Sequence, residues 1–475
     1  MKSMTLSTLA GALLLSACAA PEFRQPQVAK PAAFKEAQPA VLTAADGSRW
    51  RQAQAAEGQP RGRWWLVFKD PVLTALVDQA SRNNASLAVA AARVTQARAI
   101  AGIAAADRSP QVGLGAGGQR AATPGGAPQT TYGASLSASY ELDLFGRVSA
   151  NVAAARGDAA SVEADYRSVL LSLQADVAQT YFQLRTTDAE LDTLGQAVQL
   201  REESVKVNQR RFDHGDIGEF DLSRAHTELA TARAEAIGLQ RQRQASEHAL
   251  AVLLGEAAAD FTVEASPLLD GAPLPRIPAG LPSNLLERRP DISAAQRTME
   301  ASNARIGVAR DAMFPALSLN ADRGGVGGAI SDIFSMSGRS WLLGATLAMP
   351  LLDGGRNKAN VVRSEAVFEE SVAGYRQSVL VAYAEVEDSL AGLRILDGQS
   401  DQVDEAVRSA RRSADLARKL YDAGRSSYLD LLDAQRNLAN VERNAVQLRG
   451  DRAITTVALI RALGGGWDQS GKDKT

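Results

Sequence analysis

The segment Gly113-Leu114-Gly115-Ala116-Gly117-Gly118 satisfies GxGxxG, a glycine spacing that can let backbone amides approach a pyrophosphate. That chemistry also needs a strand before the glycines and a helix N-terminus after them. Here the glycines lie inside a strand pattern and a Pro/Gly loop follows, so they read as a glycine-rich strand. Gly324-Gly325-Val326-Gly327-Gly328 likewise reads as an external loop. His214, His226 and His248 have no Cys or carboxylate at metal-site spacing, and no Ser/His/Asp or paired-carboxylate pattern stands out. These residues read as solvated, which points away from an enzyme and from any bound cofactor. One other set has shared geometry. Leu429, Asp433 and Arg436 follow i, i+4, i+7 and so fall on one helix face, distinct from the face of Leu431, Leu438 and Leu448. The plainest account of Asp433 and Arg436 is an exposed i,i+3 ion pair worth a fraction of a kcal/mol.

The chain's single cysteine is Cys18, and its setting gives it a chemistry. Lys2 provides a positive start, Met4 to Leu15 is a short apolar stretch, and Leu15-Ser16-Ala17 precede the thiol. This resembles a bacterial lipobox, which implies cleavage before Cys18 and a covalent lipid on its sulfur and new amino group. With one cysteine no internal disulfide can form. The leader is too short to span a bilayer, and no later stretch is expected to supply the roughly 20 apolar residues a transmembrane helix needs.

The elements that position these residues emerge when the chain is compared with itself. Its 475 residues are 45% hydrophobic but only 5% aromatic, and the net charge of −2 comes with no basic cluster interleaved with aromatics. Nucleic acid is therefore not an expected partner. Arg211-Phe212-Asp213-His214-Gly215 with Phe220-Asp221-Leu222 recurs 209 residues later as Leu420-Tyr421-Asp422-Ala423-Gly424 with Leu429-Asp430-Leu431. Gly146-Arg147 and Gly355-Arg356 share the same offset. Each copy reads as a helix (Pro71 to Asp107; Leu285 to Ala312), then two strands, then a long helical hairpin. The strands are Gln111 to Arg120 and Thr131 to Leu144, then Ala316 to Arg323 and Ser340 to Leu351. No proline occurs between Pro128 and Pro267, nor after Pro350, so the hairpins bend only at Gly215 and Gly424. At 1.5 Å per residue, Val148 to Asp213 gives a helix of about 100 Å. Four strands cannot close a membrane barrel, so strands must come from several copies.

The organisation that follows is a signal peptide at 1–17 and an extended lipidated segment at 18–63. Repeat one covers 64–266, a Pro-rich linker 267–284, repeat two 285–466 and a polar tail 467–475.

The motifs together resemble the TolC-like outer-membrane factors, in particular the NodT-type efflux lipoproteins. The marks are Cys18 in its lipobox, Trp64-Trp65 with Phe68-Asp70-Pro71, and Tyr140-Glu141-Leu142-Asp143-Leu144-Phe145-Gly146-Arg147. Leu285-Leu286-Glu287-Arg288-Arg289-Pro290-Asp291-Ile292, Tyr428-Leu429 with Leu431-Leu432-Asp433-Ala434-Gln435-Arg436, and Ala462-Leu463-Gly464-Gly465-Gly466-Trp467 follow in order. The resemblance implies a mainly α protein with a membrane β-barrel portion. Its internally duplicated protomers would form a homotrimer with a twelve-stranded barrel, a long α-helical barrel and a mixed equatorial region. The implied place is the cell outer membrane, lipid-anchored and extending into the periplasm. The implied partners are outer-membrane lipid, a periplasmic membrane-fusion adaptor and an inner-membrane efflux pump. Residues at the positions of Leu429, Asp433 and Arg436 form the closed periplasmic aperture in that family, and Arg224 is a possible gate partner. The repeat counterparts Phe220, Arg224 and Thr227 carry a different charge pattern. Two alternatives are the duct of a type I protein-secretion system, which shares the architecture, and a structural periplasmic coiled-coil lipoprotein, which has no need of membrane-length strands.

Overall fold

The computed structural model describes residues 62–267 and 288–465, with a few positions near 23–36 and at Pro275 and Ile277. Cys18, most of the 267–284 linker and the 467–475 tail lie outside the described residues. A 3-10 turn at Trp64–Phe68 leads to α1 (Pro71–Asn83) and α2 (Ala85–Ala106). Then come β1 (Gln111–Ala121), β2 (Gln129–Leu142), α3 (Arg147–Asp213) and α4 (Glu219–Leu254). The second copy is α5 (Pro290–Asp311), β3 (Ala316–Gly327), β4 (Arg339–Ala348), α6 (Arg356–Asp422) and α7 (Tyr428–Ala462). The long helices α3 and α6 each have 67 residues.

Two features differ from the sequence reading. The first helix is broken at Asn84, whose backbone is extended (φ −65°, ψ 125°). Its Oδ1 accepts from the Leu87 amide at 3.0 Å, starting α2, while its Nδ2 donates to the Leu253 carbonyl at 2.9 Å. The second difference is that α2, with 22 residues and a mean hydropathy of 1.2, is long and apolar enough to cross a membrane by length and composition. Alanine supplies that hydropathy, and the helix also carries Arg93 and Arg98.

The chain divides into two compact units that cut across the duplication. The first holds residues 91–166 and 291–379, and hence all four strands. They form one antiparallel sheet in the order β1-β2-β3-β4. Leu114 faces Leu136, Leu136 faces Arg323, and Arg323 faces Trp341. Below the sheet, Ala104 of α2 packs on Val152 and Ala155 of α3. Gly157 of α3 lies so near Ala301 of α5 that an added Cβ would stand 2.9 Å from the alanine's. Small side chains thus replace aromatic bulk as the means of close packing.

The second unit holds residues 29–90, 167–290 and 380–475. Trp64 and Trp65 are buried there, and Phe68 meets Phe182 at 4.9 Å. Asp70 caps α1 by accepting from Val72 and Leu73, and its Oδ2 accepts from the Tyr181 hydroxyl at 2.6 Å. Burial and that contact push the Tyr181 hydroxyl up to about 12. Buried Asp188 accepts from Arg185 at 3.1 Å and Arg243 at 2.6 Å, so the charges of this cluster are paired.

Candidate functional site

Two places hold the residues singled out by the sequence: the turn joining α6 to α7, and the sheet.

The turn is built the same way as its counterpart between α3 and α4. Gly424 has φ 69° and Gly215 φ 79°, left-handed conformations that end a helix and that glycine adopts without a Cβ penalty. The Arg425 amide donates to the Leu420 carbonyl at 2.8 Å, and the Asp216 amide to the Arg211 carbonyl at the same distance. α7 then starts with a capping box. Ser427 accepts from the Asp430 amide while the Asp430 carboxylate accepts from Ser427. Hydrogen bonding to Ser427 holds the Asp430 carboxyl below the usual range.

Beyond the cap, Leu431 and Leu432 are buried with Ala225, Tyr421 and Tyr428. Leu429, Asp433 and Arg436 lie on the exposed side of α7, with Leu429 41% exposed. The Arg436 guanidinium does not pair with Asp433. It clasps Glu228 of α4, Nε donating to Oε2 at 3.0 Å and Nη2 to Oε1. Glu228 is buried and Arg201 of α3 also approaches it, at 4.0 Å. The hydrogen bond to Glu228 raises the Arg436 pKa, and the Asp433 charge adds to the effect. Asp433 itself makes no hydrogen bond or ion pair among the described residues. Arg224 stacks its guanidinium over Phe220 at 5.3 Å. Tyr428 beneath is pushed up to about 12 by burial and by the Glu228 charge. The Tyr421 hydroxyl donates to buried Asn208 at 2.9 Å.

Sequence reasoning therefore grouped the exposed residues of one face but missed Glu228 and Arg201. A signal existed: aligning the repeats sets Thr227 against Arg436 and puts a carboxylate one position further along the opposing helix. His214, His226 and His248 are all exposed.

The sheet has two chemically distinct faces. Side chains directly opposite across strands share a face, and alternate residues switch. One face carries Val112, Leu114, Leu136, Tyr140, Leu142, Leu317, Leu319, Trp341, Leu343 and Leu347. The other carries Ser135, Ser137, Ser139, Glu141, Ser318, Asn320, Asp322, Ser340 and Thr346 with several glycines. Leu114 is 81% and Trp341 80% exposed, far from the behaviour of a buried core. An apolar face open to its surroundings and a polar face opposite is the pattern of a barrel wall between lipid and water. The glycines at 113, 115, 117 and 118 lie inside β1, with no helix N-terminus beside them to hold a pyrophosphate.

The comparisons agree with this pattern. The family model described as outer membrane efflux protein matches residues 76–256 and 281–465. The chain is similar to the solvent efflux pump outer membrane protein SrpC of Pseudomonas putida, 33% identical over 466 residues covering 96% of this chain and 97% of that one. It is 31% identical to the cation efflux system protein CusC of Escherichia coli over 464 residues, 96% of this chain and 98% of the other. Among solved structures, the outer-membrane channel OprN superposes with a TM-score of 0.85 at 29% identity, over 95% of this chain and 99% of that one. The open state of the Neisseria gonorrhoeae MtrE outer membrane channel matches with a TM-score of 0.80 at 28% identity, over 94% and 98%.

Proposed function

The chain belongs to the outer membrane efflux protein family, and from that premise we propose that three copies of it form the outer-membrane exit channel of a tripartite efflux pump. The observation that carries the reading is the two-faced sheet, whose outer strands β1 and β4 each have one edge unpaired among the described residues. In a bilayer such edges must be satisfied by other strands, and three copies of four supply twelve. The chain passes small molecules such as drugs or toxic compounds without acting on them. Relatives named for solvents and for cations both match it along 96% of the chain, which supports a passive duct whose cargo is chosen by the inner-membrane pump. A membrane-fusion adaptor in the periplasm links the two, and lipid on Cys18 anchors the mature N-terminus.

The exposed face of α7 is the periplasmic gate. Arg436, fixed to buried Glu228, holds α7 against α4 within one chain and sets where Leu429 and Asp433 are presented. Threefold symmetry brings Leu429 and Asp433 of the three copies together, with Arg224 available as a cation for Asp433. Contacts made at the closed end are few and partly solvated, so a docking adaptor can compete with them.

Replacing Asp433 and Arg436 together by Ala should raise the resting conductance of the reconstituted trimer in planar bilayers without preventing assembly. Unchanged conductance in a properly assembled double variant, with Leu429→Ala added, would place the gate elsewhere.

A further inference from the structure

The apolar face of the sheet carries three arginines, Arg120 of β1, Arg323 of β3 and Arg339 of β4, and the last two lie close together with no neutralising partner among the described residues. Arg323 of β3 stands opposite Trp341, and Arg339 of β4 stands opposite Gly325, two residues along on the same face. Diagonal positions of this kind on neighbouring strands are about 7–8 Å apart. Two guanidiniums so placed repel each other, yet neither makes a hydrogen bond or ion pair among the described residues. The acids of the adjoining residues are committed elsewhere. Asp322 points to the polar face by strand alternation. Asp332 accepts from the Ala329 amide at 2.9 Å within its own turn.

The surroundings of the pair form a concavity of about 680 Å³ lined by Leu114, Leu136, Arg323, Phe334, Arg339 and Trp341, among others. One wall is the 3-10 turn Ile330–Phe334, which folds back over β3. Three glycines permit this. A Cβ on Gly325 would collide with the Ile333 carbonyl, one on Gly327 with the Asp332 side chain, and one on Gly338 with the Asp332 carbonyl. The turn displays Ile330 and Phe334, exposed by 63% and 81%.

Position gives the concavity its setting. The ends of β1 to β4 next to the helices are Gln111, Leu142, Ala316 and Ala348, whereas the 3-10 turn joins β3 to β4 at the other end. With the helices in the periplasm, that other end is the outer rim of the barrel wall, and the apolar face meets lipid. Unpaired Arg side chains beside lipid are costly unless an anion meets them. A guanidinium pairs with phosphate through two parallel hydrogen bonds. Exposed Phe334, Leu114, Leu136 and Trp341 around the pair suit acyl chains, so one amphiphile answers both features.

We propose that Arg323 and Arg339 seat the phosphate of an acylated glycolipid of the outer leaflet, with Phe334 and Trp341 against its chains. The site rests on the channel reading, because that reading is what turns this face toward lipid. It gives the barrel a bound lipid at its rim, and it accounts for a loop folded onto the outside of the wall when it could project into solvent.

The test uses the full chain extracted in mild detergent and delipidated, with native mass spectrometry reading both assembly and bound lipid. The probes are diphosphoryl lipid A, the same lipid with its phosphates removed, and inorganic phosphate alone. The intact trimer should bind the phosphorylated lipid at least tenfold more tightly than the dephosphorylated one. Arg323→Ala with Arg339→Ala should remove that preference, Arg323→Lys with Arg339→Lys should keep most of it, and inorganic phosphate at equal concentration should not displace the lipid. Equal binding of the two lipids by a wild-type trimer overturns the inference while leaving the channel reading intact. So does a double Ala variant that still discriminates, or displacement by inorganic phosphate. A lipid-free monomer overturns both.

Discussion

Asp311, the last residue of α5, is 4% exposed, and its Oδ1 accepts no hydrogen bond among the described residues. Burial, reinforced by the charge of nearby Asp143 and opposed by Arg147, pushes its carboxyl up from 3.8 to about 6. Asp143 goes the other way. Burial would raise it, but hydrogen bonds from Ser149 and from the first amides of α3, Val148 at 2.9 Å and Ser149 at 2.8 Å, hold it below the usual range. One carboxylate is thus spent on a helix start, and its neighbour is left to bear the repulsion. Between pH 3.8 and about 6 the folded chain keeps a proton on Asp311 that the unfolded chain releases. The unfolded state binds fewer protons across that window, so stability falls as pH rises through it and is lowest above it. Asp311→Asn removes the charge and the slope. Its thermal midpoint should match that of the wild type near pH 4 and exceed it by several degrees above pH 6. Parallel midpoints across that range would show that Asp311 is neutralised by another route.

The helical elements turn on single glycines whose roles differ in kind. Gly424 has φ 69° and nothing within 4 Å of an added Cβ, so Gly424→Ala meets only the left-handed backbone penalty, about 1–2 kcal/mol. Gly255 after α4 combines φ 75° with the Asn83 carbonyl lying where a Cβ would go. Gly255→Ala should therefore destabilise more than Gly424→Ala, and Gly424→Asn should cost less than either, since Asn tolerates this conformation. Thermal melts give the ranking. Hydrogen exchange should localise the Gly424→Ala effect to the first turn of α7, and an effect spread along α6 would contradict the argument. These turns were legible in sequence because each lies inside a stretch of more than a hundred residues without proline and the glycine recurs in both copies. The strands were legible through alternation, as in Leu136 to Leu142. The break at Asn84 was not, because periodicity continues through it, and what ends α1 includes a hydrogen bond to Leu253, 169 residues away. Glu228 escaped for the same reason: spacing along α7 shows which residues share its face, but not which carboxylate of another helix lies against it.

At the scale of the molecule, strand edges and anchors decide assembly. The four strands are 10 to 14 residues long, enough for tilted crossings of a bilayer. A single copy in lipid would leave the outer edges of β1 and β4 without hydrogen-bond partners, at several kcal/mol for each unsatisfied group. It would also leave polar Ser137, Asn320 and Asp322 without the water that a closed lumen supplies. Both costs vanish together when three sheets close, which is why assembly and insertion should be one event with no stable monomer between them. On the proposed reading, lipid on Cys18 is a tether and not the source of membrane insertion, since the barrel wall itself offers the apolar band. Native mass measurement of detergent-extracted protein should accordingly report three chains, each beginning at Cys18 and carrying the mass of its acyl groups. Cys18→Ser should still give trimers, fewer of them in the outer membrane because delivery is impaired. A folded monomer extracted from the membrane would remove the edge argument, and an unmodified mature chain starting at another residue would remove the tether. Trimers lost in Cys18→Ser under conditions where the chain is still exported would show instead that the lipid takes part in closing the barrel.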